Sequence, residues 1–295
     1  MSWFQSLILG VVQGLTEFLP ISSSAHIRLI AVGAGWPDPG AAFTAVSQIG
    51  TELAILIYFR KDIARIVTSW ARSLVSKEAR RELDARMGWL VIVGSIPIAV
   101  LGVTFKDHIE GPFRDLRLIA FSFIALGIAL GVADRLAAQA ESGGRHRAGK
   151  PRKNLEQLNV RDGVLFGLWQ ALALVPGMSR SGVTMTGGLF LGYDRASAAR
   201  YSFLLAIPAV LGSGAYELKE IGGETGQVAW GPTILATVVG GLVGYAVIAW
   251  FMHWISTRSF MPFVWYRIAV GVVILLLVGV GVLDPMAGAP EVDGS

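Results

Sequence analysis

Gln13-Gly14-Leu15-Thr16-Glu17-Phe18-Leu19-Pro20-Ile21-Ser22-Ser23-Ser24-Ala25-His26 is the stretch that decides the fold. An acid, three consecutive serines and an imidazole follow one another closely, and a glycine and a proline interrupt them. The surrounding chain is strongly apolar. A segment built this way cannot cross a bilayer as one plain helix, because hydrocarbon offers nothing to the backbone groups a break sets free. Membranes tolerate such a break only around a protein-lined, wet cavity. The stretch therefore predicts a polar cavity, with the rest of the chain as its walls.

The composition agrees. Of 295 residues, 53% are hydrophobic and only 16% are charged, against about 25% charged in soluble domains. The mean hydropathy is +0.58. These values point to an integral membrane protein. The 36 glycines favour close helix contact in lipid, and the nine tryptophans suit interfacial anchoring. With no cysteine, disulfides and thiolate chemistry are excluded. The net charge of +4 could suggest nucleic acid, but the basic residues cluster in loops between apolar spans. Membrane orientation explains that pattern, and no nucleic-acid partner is expected. Met1-Ser2-Trp3-Phe4-Gln5 lacks a basic leader and an Ala-x-Ala site follows nowhere near, so no cleaved signal peptide is expected.

Residues 3–15 are apolar but too short for the ~30 Å bilayer core. With the piece from Ala25 to Val32 they predict a re-entrant helical hairpin over 3–33, its polar tip held at depth. Spans are expected at 43–59, 88–104, 118–133, 198–216, 232–252 and 263–283. Span 43–59 carries Gln48, Thr51 and Glu52, and an acid there must face protein or water. Residues 60–86 form a basic block whose apolar spacing predicts an amphipathic surface helix. Residues 141–162 form a second basic block, expected to be a mobile loop.

The opening pattern then returns. Gly167-Leu168-Trp169-Gln170 through Val175-Pro176 echoes Gly10-Val11-Val12-Gln13 through Leu19-Pro20, with one residue fewer. A second re-entrant hairpin is expected over 163–191. The expected fold class is thus an all-α integral membrane protein: about six transmembrane helices plus two re-entrant helical hairpins in an inverted-topology repeat. Its single membrane domain divides into half one, 1–136, a cytoplasmic loop, 137–162, half two, 163–284, and a short tail, 285–295. Positive charge inside places 60–86 and 141–162 in the cytoplasm and 217–230 outside.

In the first hairpin, Gln13 and Glu17 share a helix face, and Ser22, Ser23, Ser24 and His26 crowd the turn. Serine and histidine there suit a nucleophile with its base, or a pair of phosphate donors; capping alone would need one serine. In the second hairpin, Pro176-Gly177-Met178-Ser179-Arg180-Ser181-Gly182-Val183-Thr184 has the build of an anion cradle. Glycine admits a close ligand, a helix start offers N–H groups, and Arg180 brings a fork for phosphate oxygens.

On these two motifs, Gln13-Gly14-Leu15-Thr16-Glu17 with its serine turn and Pro176 to Thr184, the chain resembles the undecaprenyl-diphosphate phosphatase family of the bacitracin-resistance type. The likeness runs over nearly the whole length. It implies a bacterial inner-membrane enzyme, multi-pass and open to the periplasm, that hydrolyses undecaprenyl diphosphate to undecaprenyl phosphate and inorganic phosphate for cell-wall synthesis. Catalytic roles then fall on Glu17, Ser23, His26 and Arg180. Phosphate binding falls on Gln13, Ser22, Ser179, Ser181, Thr184 and Gly177. Glu17 is the candidate ligand of a substrate-assisted Mg²⁺ or Ca²⁺, and no organic cofactor is expected. Undecaprenyl diphosphate and membrane lipids are the expected partners, and a homodimer is compatible with the resemblance. The rival class is a transporter or flippase of polyprenyl phosphate lipids, which would need the arginine but no placed nucleophile.

Overall fold

The computed structural model describes residues 1–37, 40–105, 115–142, 152–221 and 229–287. Among them the chain is helical, with an isolated bridge between Lys153 and Tyr193 and no named strand. The helices are α1 Trp3–Glu17, α2 Ser23–Gly33, α3 Gly40–Tyr58, α4 Arg60–Val75, α5 Leu83–Thr104, α6 Leu116–Ser142, α7 Val160–Ala171, α8 Arg180–Phe190, α9 Arg195–Ile221, α10 Trp230–Ile255 and α11 Met261–Gly279. Four segments are long and apolar enough to cross a membrane: Leu83–Thr104, Leu116–Glu141, Trp230–Ile255 and Met261–Gly279. This is a multi-pass membrane protein. Among the described residues of α3, Val46–Tyr58 is a shorter apolar stretch.

Local chemistry sets the ends of the short helices. Ser2 caps α1 in a reciprocal box with Gln5, and Asn159 caps α7 by accepting from the Asp162 N–H. Both short pairs break in the same way. Pro20 follows the end of α1, and Ser22 starts α2 from φ 74°; Pro176 and Gly177 precede α8, which Ser179 starts from φ 60°. Ser22 and Ser179 are the non-glycine residues at positive φ among those described. Each is the residue from which its short helix starts, so the two breaks share a backbone conformation.

Packing repeats as well. A Cβ on Gly10 of α1 would lie 2.7 Å from the carbonyl oxygen of Ala236 in α10, and one on Gly167 of α7 would lie 2.4 Å from that of Gly94 in α5. Each short helix is thus wedged, backbone to backbone, against a long helix of the other half, the close approach that small residues allow in lipid. The main core joins α1, α3, α6, α8, α9, α10 and α11 through Phe18, Phe59, Phe203, Phe251, Phe260 and their neighbours.

Two expectations change. The helix predicted over 60–86 ends at Val75: Ser76 is extended, a single 3-10 turn covers Ala79–Arg81, and α5 begins at Leu83. Arg80 Nε donates to the Ser73 carbonyl at 2.8 Å and the Ser76 hydroxyl accepts from the Ala79 N–H at 3.3 Å, which turns the chain back so that Trp70 packs over Gly88. The second change is in 141–162. Residues 143–151 lie outside the described residues, but Lys153 exchanges backbone hydrogen bonds with Gly192 and Asp194 at 2.9 Å, and its ammonium pairs with Asp162 at 3.0 Å. The end of that basic block is anchored to the fold.

Candidate active site

The two turns meet. Leu19, at the end of the first turn region, accepts from the Ser181 hydroxyl at 3.1 Å. Arg267 of α11, fully buried, donates to the carbonyls of Pro20 at 3.0 Å, Gly177 at 2.8 Å, Ser122 at 3.1 Å and Phe123 at 3.3 Å. One guanidinium therefore ties both turns to α6. Such a buried cation is tolerated because its donors find acceptors. Gly177 sits at φ 87°, and a Cβ there would lie 2.8 Å from the Ile119 carbonyl oxygen, so this turn requires glycine.

Between the turns lies a cavity of about 230 Å³. It is lined by Gln13, Glu17, Ser22, Ser23, Ser24, Thr44, Gln48, Ile98, Ala173, Pro176, Gly177, Ser179 and Arg180. Glu17 is its hub. One carboxylate oxygen, Oε1, accepts from Arg180 Nη2 at 2.6 Å, with Gln48 Nε2 at 3.5 Å. The other, Oε2, accepts from the Ser23 hydroxyl at 2.5 Å and from Gln13 Nε2 at 3.1 Å. The expected Gln13–Glu17 face thus forms, and the acid of one half meets the arginine of the other.

The remaining sequence candidates divide. Ser179 lines the cavity and also accepts the Gly182 N–H at 3.2 Å, so it caps α8 and leaves fewer helix-start donors for a ligand. Ser181 bonds across to the first turn, as described. Thr184 is buried away from the cavity; its hydroxyl bonds the Arg180 carbonyl at 2.6 Å and contacts Ser202. His26 is buried and also off the cavity lining. Its Nδ1 lies 2.7 Å from the Ser22 carbonyl and its Nε2 2.6 Å from the Tyr266 hydroxyl. A neutral ring protonated on Nδ1 satisfies both contacts, donating to Ser22 and accepting from Tyr266. Its hydrogen bonds therefore go to neither Glu17 nor Ser23.

Three contributors lie outside the set expected from sequence. Glu52 of α3 reaches the same Arg180 Nη2 at 3.3 Å. Its sequence signal is its place as an acid within an apolar span, which does not reveal the cation it faces. Gln48 lines the cavity, and no spacing rule links it to Glu17 across 31 residues. Arg267 is the one formally charged residue of Met261–Gly279, a signal of the same kind as Glu52.

For a metal, the oxygen donors facing the cavity include Glu17, Gln13, Gln48 and Ser23, which suit a hard cation. Among the described residues no group of three or more His, Cys, Asp or Glu side chains could hold an ion unaided. These donors fit an ion that brings most of its ligands with it.

The family profile of bacitracin resistance protein BacA matches residues 6–273. Undecaprenyl-diphosphatase 2 of Streptomyces avermitilis is 69% identical, over 97% of this chain and 98% of its own length. Undecaprenyl-diphosphatase of Streptomyces griseus is 69% identical over 98% and 99%. That of Renibacterium salmoninarum is 53% identical over 96% and 98%. Extending from the first helix into the last, these likenesses take in both turns, and the chain belongs to the BacA family of bacitracin resistance proteins.

Proposed function

We propose that the protein hydrolyses undecaprenyl diphosphate to undecaprenyl phosphate and inorganic phosphate, recycling the lipid carrier of cell-wall synthesis. The observation that carries this reading is Glu17, which holds the Ser23 hydroxyl on one oxygen and Arg180 on the other within a single polar cavity. Its relatives' names agree. The terminal phosphoryl group enters between Arg180 and Ser23. Arg180 leaves Glu17 and spans two phosphoryl oxygens, where its charge counts most as negative charge develops. Ser23 Oγ attacks phosphorus while its proton passes to Glu17 Oε2. The bond from phosphorus to the bridging oxygen breaks, and undecaprenyl phosphate departs. Water then attacks the phosphoserine and the bond from phosphorus to Ser23 Oγ breaks; Glu17 returns its proton to that oxygen, and the proton water loses leaves with inorganic phosphate. His26 holds the Ser22 carbonyl, and so the strained turn that aims Ser23. A divalent ion arriving with the diphosphate would be held by Glu17 and would neutralise phosphate charge.

The membrane arrangement belongs to the same reading. The α1–α2 and α7–α8 pairs are re-entrant and oppositely inserted, α3 and α9 complete six spans, and α4 lies on the cytoplasmic face of the inner membrane with the cavity open to the periplasm. Basic residues along α4 support this orientation. A chain without cysteine suits labelling: Lys61→Cys should resist a membrane-impermeant reagent in intact cells, and labelling from outside would reverse the topology. For the chemistry, purified protein should release phosphate from the diphosphate lipid and Arg180→Ala should not. No phosphate release by the purified wild type, with lipid movement that Arg180→Ala abolishes, would instead favour a transporter.

A further inference from the structure

Arg180 stands between two acids. Its Nη2 lies 2.6 Å from Glu17 Oε1 and 3.3 Å from Glu52 Oε1, and all three side chains are largely withdrawn from solvent, at 15%, 7% and 4% exposed. The two contacts are unlike in setting. Glu17 faces the cavity and is shared with Ser23 and Gln13; Glu52 is off the cavity lining. Its second oxygen, Oε2, is buried and has no hydrogen-bond partner among the described residues. A buried carboxylate oxygen left without a donor costs about 1–3 kcal/mol or more, so Glu52 is poorly explained as a stabilising group. Leucine or isoleucine, like its neighbours Leu53 and Ile55, would be cheaper there.

We propose that Glu52 is a positioning residue that keeps hold of Arg180 when the guanidinium leaves Glu17 for the phosphoryl group. The proposal rests on the hydrolase reading above, which requires that separation: Glu17 cannot take the Ser23 proton efficiently while it neutralises Arg180, and Arg180 cannot span two phosphoryl oxygens while bound to Glu17. With Glu17 as the sole acid, the arginine would have to give up its only ionic partner as substrate arrives. Glu52 supplies a second, fixed partner that substrate does not contact. The open acceptor Oε2 gives the guanidinium somewhere to gain a hydrogen bond as it turns away from Glu17. The arginine is thereby passed from one acid to the other and never lies unpaired in a low-dielectric site.

Phosphate release by full-length protein in detergent, with undecaprenyl diphosphate as substrate, tests this through a double-mutant cycle with Arg180→Lys. Glu52→Gln should lower kcat about tenfold in the wild-type background and less than twofold beside Arg180→Lys, because it acts only through the guanidinium fork. Glu52→Asp, which keeps the charge, should recover part of the loss. An unaltered kcat in Glu52→Gln, or the same tenfold loss in both backgrounds, would overturn the proposal. So would loss of folded protein in both Glu52→Gln and Glu52→Asp, which would make Glu52 a folding residue. A silent wild type would instead remove the hydrolase reading itself, whereas an active wild type with an indifferent Glu52 removes only this proposal.

Discussion

The turn after α1 and the turn before α8 share a plan and differ in chemistry. Both follow a short helix wedged by glycine against a long one, both contain proline, and both enter the next helix through a serine at positive φ. The first turn contributes an acid and a hydroxyl, Glu17 and Ser23; the second contributes a cation, Arg180. The difference teaches how two similar turns make a single site. Each turn supplies the same strained helix start, and different side chains then place an acid at one and a cation at the other. The largest effects should come from disturbing either contribution alone.

Ser23→Ala should lose essentially all turnover, since the proposed route passes through its oxygen. A single-turnover assay for phosphate release checks this, and a substantial remainder would mean that water attacks directly with Glu17 as base. From the opposite half, Arg180→Ala should cost about 10²–10³ in kcat, the usual loss for one electrostatic donor to a developing anion. Arg180→Lys should recover little of it, because a point charge cannot span two oxygens. If lysine restored the rate, charge alone would be the contribution of the second turn.

Arg267 joins the halves without entering the cavity, so its removal should be felt in a different measurement. Arg267→Met would leave the carbonyls of Pro20, Ser122, Phe123 and Gly177 without their donor in a place sealed from water. Destabilisation of about 3 kcal/mol is expected from unsatisfied buried acceptors, read as lowered thermal stability in detergent. Unchanged stability with lost activity would move Arg267 from scaffold to chemistry.

How much of this the amino-acid order discloses follows from which forces act locally. Breaks at Pro20 and at Pro176-Gly177 and the Gln13–Glu17 face are set by neighbours in sequence, and they appear as expected. The meeting of Glu17 with Arg180 also follows once the echo is taken as two facing turns. What local order does not carry is direction across the fold. His26 lies three residues beyond Ser23 but turns to Tyr266, because its ring packs with Tyr266 and Phe123 and not with the acid. Thr184 closes on its own helix and Ser202. Glu52 and Arg267 are visible only as charges in apolar helices; their partners lie 128 and 247 residues away, at Arg180 and Pro20. The break at Ser76 depends on Arg80 folding back onto Ser73, which helical periodicity does not report.

The smallest expected effect is the one that separates the two halves most sharply. Gln13 and Gln170 correspond in the echo, and both are buried. Gln13 has a use: its Nε2 donates to Glu17 at 3.1 Å. Four residues beyond Gln170 stands Leu174 in place of an acid, and both polar atoms of the Gln170 side chain are buried without a hydrogen-bond partner among the described residues. The second half has kept the amide and lacks its acceptor. Replacing a buried polar group that makes no hydrogen bond by an apolar one of similar shape is neutral or stabilising, whereas removing one partner of a made bond leaves the other unsatisfied. Gln170→Leu should therefore leave kcat within twofold of wild type and hold or raise the unfolding temperature. Gln13→Leu should lower kcat several-fold by freeing the Glu17 oxygen that receives the Ser23 proton. Parallel kinetics and thermal unfolding of the two variants decide the matter. A tenfold loss of turnover in Gln170→Leu would mean that this amide is satisfied during the reaction, and the second half would then be more than the holder of Arg180.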